Sequence, residues 1–241
     1  MPAERYFYNQ HIDTGAILSL TDQEYHHLVH VMRSQPNDEI ELVNGQGLLA
    51  KARVQTIAKK NVLLQVESTQ LATPPATQLI LAQAIPRMNR LEFILEKSTE
   101  LGVTEIWLFP GTHSERKHFN AQQMERLQAI TIAAMKQCGR LFLPKLIMTP
   151  KLSAWQEIPI PAFFGDISPA APPLASVWQP HPTNPSACIC IGPESGFTAE
   201  ETARLLQLGM KGVKLHPNIL RTDTAAIAAL SLLSHSLFLT I

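Results

Sequence analysis

The spacing of apolar and polar residues changes character once along the chain, near residue 73. Before that point, short runs over 5–9, 39–44, 48–57 and 62–67 read as strands, separated by the turn signals Asn44-Gly45 and Lys59-Lys60-Asn61. One helix interrupts them: Tyr25, Leu28, Val29 and Met32 make a single apolar stripe, and Thr21 with Glu24 has capping-box spacing. A small β-barrel over residues 1–73 is expected, and QLATPPATQ (70–78) then reads as a proline-bearing linker.

Over 74–241 the pattern alternates between strand and helix. Strand-like runs LILAQAI (79–85), TEIWLF (104–109), AFFGDI (162–167), ACICI (187–191) and GVKL (212–215) are interleaved with helical stretches near 90–101, 120–137, 199–208 and 222–238. This predicts an α/β domain with a parallel sheet, whose ligands sit beyond the carboxyl ends of the strands.

Composition refines the picture without redirecting it. With 45% hydrophobic and 17% charged residues among 241, the chain is that of a folded protein. Basic and acidic residues both number 20, so no overall basic field points to nucleic acid and local charge must carry any such partner. Only residues 74–150 are net basic, with 9 basic and 6 acidic side chains, 9 − 6 = +3.

Three cysteines (Cys138, Cys188, Cys190) lack zinc-like spacing and argue against a disulfide framework, which favours a reducing, cytoplasmic setting. His26, His27 and His30 on one helix have no fourth ligand in view and read as a surface cluster, so no metal is expected. The N-terminal residues show no apolar signal core, and the C-terminal run 224–241, interrupted by serines and His235, reads as a buried helix and no membrane span.

Two strand-to-helix junctions carry the candidate chemistry. In IGPESGFTAEE (191–201), Thr198 and Glu201 form a capping-box pattern, so the turn from Gly192 to Gly196 delivers backbone N–H groups and a helix start to one place. It is neither a GxGxxG fingerprint nor a Walker loop. In LHPNILRTDTAA (215–226), Thr222 is available as an N-cap, and Asp223 suits the positive end of the helix. Arg221 opposes that dipole, so an anionic partner is the economical reason for it. In AIPRMNRLEF (84–93), Arg87 and Arg90 stand at another helix start, and Arg116, Lys117 and Arg140 extend the net-basic segment.

ILRTDTAA and IGPESGF, together with EKSTELGV (96–103), SER (114–116) and QCGR (137–140), resemble the RsmE-type ribosomal RNA uridine N3-methyltransferases of the SPOUT superfamily, in order and in separation. The likeness covers essentially the whole chain. It implies a SPOUT-type parallel sheet with a trefoil knot, preceded by a PUA-like β-barrel that docks RNA. It further implies S-adenosylmethionine as methyl donor, 16S rRNA of the small ribosomal subunit as substrate, and a homodimer. Cofactor contacts are then expected from Ile191, Gly192, Pro193, Glu194, Gly196, Leu215, Ile219, Leu220 and Thr224, catalytic roles from Arg221, Glu194 and Asp223, and RNA contacts from Arg33, Arg87, Arg90, Arg116, Lys117 and Arg140. Departures from the family pattern fall at Ser195, His216, Asn218 and Asp223. His216 and Asn218 keep open the alternative of an inactive RNA-binding homologue, and a methyltransferase with another RNA target also stays open, because target choice depends on docking and pocket shape.

Overall fold

The computed structural model describes residues 4–180 and 185–238. The last three residues of the apolar run 224–241, and the first three of the N-terminal stretch, lie outside the described residues. Contacts within the chain group it into two units, Met1–Pro74 with Ile132–Leu143, and Pro75–Thr131 with Pro144–Ile241.

The first unit is built on one curled sheet of strands β1 (Arg5–Phe7), β2 (Ile17–Leu20), β3 (Glu39–Val43), β4 (Leu48–Ile57) and β5 (Val62–Leu71), in the order β1-β3-β4-β5-β2. All neighbours are antiparallel except β1 with β3. Two register shifts between β4 and β5 bend the long pair, as bulges do. The concave side is filled by Tyr6, Leu20, Leu42, Val54 and Leu64. Strand β2 was not foreseen, and β5 runs four residues past its expected end into the linker.

Helix α1 (Asp22–His26) continues as a wide π turn over His27–Val31. The capping box expected at Thr21 is not made: the Thr21 hydroxyl donates to Asp22 Oδ2 at 2.8 Å, and the Glu24 carboxylate is held by Lys136 Nζ at 2.5 Å. A charge-assisted bond of that kind outcompetes a bond to a neutral backbone N–H. The rings of His26 and His30 meet at a tilt on this segment, with centroids 5.0 Å apart.

The second unit is a six-stranded parallel sheet. Its strands are β6 (Leu79–Ala84), β7 (Glu105–Phe109), β8 (Lys145–Met148), β9 (Ala162–Gly165), β10 (Ala187–Ile191) and β11 (Lys211–Val213), in the order β11-β9-β10-β6-β7-β8. Helices α2 (Met88–Glu100), α3 (Ala121–Cys138), α4 (Leu174–Val177), α5 (Ala199–Gln207) and α6 (Thr222–Phe238) connect or follow them.

Both faces of this sheet are covered, and the period of two along each strand decides which side chain goes where. Leu79 and Leu81 of β6 join Ile189 and Ile191 of β10 on the face packed by Leu91 and Leu95 of α2 and by Ala226, Leu230 and Leu233 of α6. Ile80, Ala82, Cys188 and Cys190 point the other way, toward Leu205, Leu208 and Trp155. The two cysteines are therefore core residues, with every residue of β6 and β10 buried. Among the described residues no helix is long and apolar enough to cross a membrane.

Candidate active site

Strands β9, β10 and β11 are neighbours, and the segments leaving their carboxyl ends wall a cavity of about 300 Å³. That volume is at the small end of the range for ligand pockets. The turn after β10 closes tightly on itself. A Cβ at Gly192 would lie 3.3 Å from Gly196 C and Phe197 N, and Gly196 has φ +76, the left-handed region that glycine enters freely.

Beyond the turn the capping box is complete. Thr198 Oγ1 accepts from Glu201 N at 3.1 Å, and Glu201 Oε2 accepts from Thr198 N at 2.9 Å. The other oxygen of this buried carboxylate accepts from Thr112 N at 2.8 Å, so one acid fixes the start of α5 and the loop after β7 together.

Thr222 does not serve as the N-cap of α6. It is the first residue of that helix, and its hydroxyl donates to Gly192 O at 2.7 Å. A longer-range acceptor has taken the group that the local pattern assigned to capping. The bond links the two loops that the sequence singled out.

Of the residues expected to contact a cofactor, Ile191, Gly192, Pro193, Glu194, Gly196, Leu215, Ile219 and Leu220 line the cavity. Thr224 does not: it lies in the first turn of α6, and the helix presents Thr222 and Ala225 to the cavity. Gly165, Asp166 and Ile167 also line it and were not anticipated, although they end a predicted strand, where ligand loops belong. Asp166 Oδ1 accepts from Ser168 N at 2.8 Å. The backbone N–H groups of Ile219 and Leu220 have no acceptor among the described residues. The lining thus combines free backbone donors, the carboxylates of Asp166 and Glu194, Lys214 and the apolar side chains of Ile191, Leu215 and Leu220.

His216 and Asn218 fold into their own turn, with His216 Nδ1 accepting from Asn218 N at 3.0 Å. The backbone at His216 lies outside the left-handed region, so nothing in this turn demands a glycine there.

Glu194 does not stand free. Its Oε1 accepts from Arg87 N at 3.1 Å and lies 3.5 Å from Arg90 Nη1, which ties the turn to the start of α2. The Arg87 guanidinium in turn pairs with Glu115 at 2.9 Å. Arg87 and Glu115 are both largely exposed, and such pairs contribute about 0–1 kcal/mol, so solvent or a ligand competes with them easily. Arg116 lies 5.7 Å from the centroid of the Phe119 ring, and Lys117 Nζ donates to the carbonyls of Gly111 and Thr112.

These four cations belong to the second unit, near the carboxyl ends of β6 and β7. Arg33 and Arg140 belong to the first. Arg33 is exposed in left-handed backbone, φ 57, and burial draws the pKa of the partly buried Arg140 down from its ordinary value. Arg221 is exposed, without an ion pair among the described residues, one residue before α6. Asp223 Oδ1 accepts from Thr224 N at 3.0 Å inside the first turn.

Residues 73–234 match the family model for an RNA methyltransferase domain, and residues 20–67 match that for an RNA methyltransferase PUA domain. The parallel sheet with its strand-end cavity is thus the fold of an RNA methyltransferase. The chain is 30% identical to the ribosomal RNA small subunit methyltransferase E of Bacillus subtilis, over 96% of each. It superposes on the Neisseria gonorrhoeae ribosomal RNA small subunit methyltransferase E bound to S-adenosyl methionine, with 28% identity, TM-score 0.83, and 95% and 96% of the two chains covered. A Legionella pneumophila methyltransferase in complex with the same cofactor gives TM-score 0.88 at 28% identity, covering 98% of each chain. The chain belongs to the ribosomal RNA small subunit methyltransferase E family.

Proposed function

We propose that this protein transfers a methyl group from S-adenosylmethionine to N3 of one uridine in 16S rRNA, within the small ribosomal subunit. The observation that carries the reading is the cavity itself. It lies at the carboxyl ends of β9, β10 and β11, has backbone donors at Ile219 and Leu220 without an acceptor among the described residues, and sets the carboxylates of Asp166 and Glu194 beside apolar side chains. S-adenosylmethionine, when bound, supplies an electrophilic methyl on a sulfonium. Backbone groups of Gly192, Gly196, Leu215, Ile219 and Leu220 would hold it, and the Asp166 carboxylate offers its cationic end a counter-charge.

The target uracil must leave its stack, which costs a few kcal/mol. Its N3 proton must then pass to a solvent water, which leaves an anion shared by N3, O2 and O4. Arg221, exposed and without an ion pair among the described residues, would stabilise that charge or hold the nucleotide's phosphate, a role of preorganised electrostatics. Glu194, engaged by Arg87 N–H and Arg90, fixes the shape of the turn and does not act as a free base. Asp223, bound to its own helix start, ranks behind it. Holding base and methyl in line can supply ~7–11 kcal/mol of the barrier.

Arg87, Arg90, Arg116 and Lys117, with Arg33 and Arg140 of the PUA-like unit, would meet RNA phosphates. The reading includes the trefoil knot that the family resemblance implies, at the loops 192–197 and 214–222, which the Thr222 bond to Gly192 holds in contact. It also includes a homodimer across the cavity side and a cytoplasmic location, in keeping with three unpaired thiols.

The test is nucleoside mass spectrometry of small subunits lacking the modification, incubated with S-adenosylmethionine and the protein. The expected product is 3-methyluridine. Recovery of no methylated nucleoside from a folded, cofactor-binding protein would overturn the reading.

A further inference from the structure

Strand β6 reads LILAQA, and its one polar residue, Gln83, is fully buried. An amide taken out of water is costly unless it is hydrogen-bonded, and a strand covered on both faces has no need of one for packing. The Gln83 Nε2 lies 2.9 Å from Ala84 O, 3.1 Å from Thr222 Oγ1, and 3.4 Å from both Ile191 O and Gly192 O.

Three of these partners are carbonyls, which only accept. The fourth, the Thr222 hydroxyl, has committed its proton to Gly192 O. Every neighbour therefore calls for a donor, which fixes the orientation of the amide. Its Oε1 is buried without a partner, so the side chain retains an unfavourable group to keep its N–H bonds in place.

The bonds reach the end of β10, the first residue of its turn, and the first residue of α6. Those segments wall the cavity, whereas Gln83 itself does not line it. We infer that Gln83 is a positioning residue: with Thr222 it clasps the turn after β10 to the start of α6 and so sets the shape of the methyl-donor cavity. The inference rests on the assignment of that cavity to S-adenosylmethionine.

The clasp is tested with Gln83→Met, which keeps length and loses the donor, and with Thr222→Val and Thr222→Ser. Binding of S-adenosylmethionine is measured by calorimetry, thermal unfolding without ligand reports the fold, and kcat and KM are compared at saturating rRNA. Gln83→Met and Thr222→Val should each weaken binding about tenfold or more, from loss of bonds to a buried group. The double variant should be scarcely weaker than either single one, because both break one clasp. Thr222→Ser should restore affinity, and KM should move more than kcat.

Folded Gln83→Met and Thr222→Val proteins that bind the cofactor as the parent does, or losses that add in full, overturn the clasp. If Gln83→Met does not fold, equal affinities of Thr222→Val and Thr222→Ser overturn it instead. A parent protein that binds no S-adenosylmethionine overturns the cofactor assignment, and the clasp with it.

Discussion

The two sheets bury their strands to different depths. In β2 and the middle of β4, buried and exposed residues alternate, whereas β6 and β10 are buried throughout. An alternating strand keeps one polar face in water along its length. A strand covered on both faces has only its ends to offer, and the cavity is accordingly made of strand ends and the turns that leave them. Capping follows the same division: the box at Thr198 is complete, while at Thr21 a lysine takes the glutamate away.

Core truncation gives the largest test of this contrast. Leu64→Ala in the first sheet and Leu81→Ala in the second each empty a fully buried site, and each should cost about 2–5 kcal/mol by denaturant unfolding. Only Leu81→Ala should also weaken S-adenosylmethionine binding, because β6 lies beside β10 and carries Gln83. Equal losses of affinity from the two would dissolve the distinction. Next in size is Arg221→Ala, expected to lower methyl transfer about 10²-fold in single-turnover assays with cofactor affinity unchanged.

Smaller effects separate the two helix starts. Thr198→Ala should cost roughly 1 kcal/mol through loss of its cap, whereas Thr21→Ala should be close to neutral, since the Thr21 hydroxyl serves only its neighbour Asp22. The last prediction is silent at neutral pH. Burial, and secondarily Glu105, pushes the Cys188 thiol up from 9.0 to about 12. The unfolded chain then releases a proton that the folded state retains, so stability is fully present below about pH 9 and falls as pH rises from there toward 12. No strand of the first sheet carries a cysteine. Replacing Cys188 and Cys190 by alanine should therefore flatten the slope, as read from denaturation midpoints at pH 8 and pH 10.

Much of the fold was legible because periodicity is a local property. The runs at 79–85 and 187–191 announced buried strands, and GPESG followed by Thr198 and Glu201 announced a tight turn and a helix start. Strands β2 and β8 were not legible. Each has four residues, and β8 lies close between Pro144 and Pro150, which read as punctuation. The π turn at His27–Val31 has no sequence pattern of its own.

Partners distant along the chain were beyond reach for a different reason. Arg87 and Arg90 read as cations awaiting an anion, and Glu115 and Glu194 reach them only once the sheet is assembled. Thr222 looked like a cap because its carbonyl acceptor lies 30 residues upstream. Gln83 looked like an ordinary strand residue, and only topology shows what it holds.

The order of the second sheet also governs how the chain can fold. Leu79 pairs with Ala187 across more than a hundred intervening residues, and this pair sits at the centre of the sheet. Closing so long a loop before any pairing rewards it makes such topologies slow to form. While β10 is still being synthesised, one edge of β6 stays open, with its N–H and C=O groups available to any passing strand. A fragment ending before residue 187 therefore lacks most of the cavity wall, keeping only the part that follows β9, and retains an adhesive edge. Productive folding of this enzyme should depend on how well that edge is shielded until the last quarter of the chain arrives.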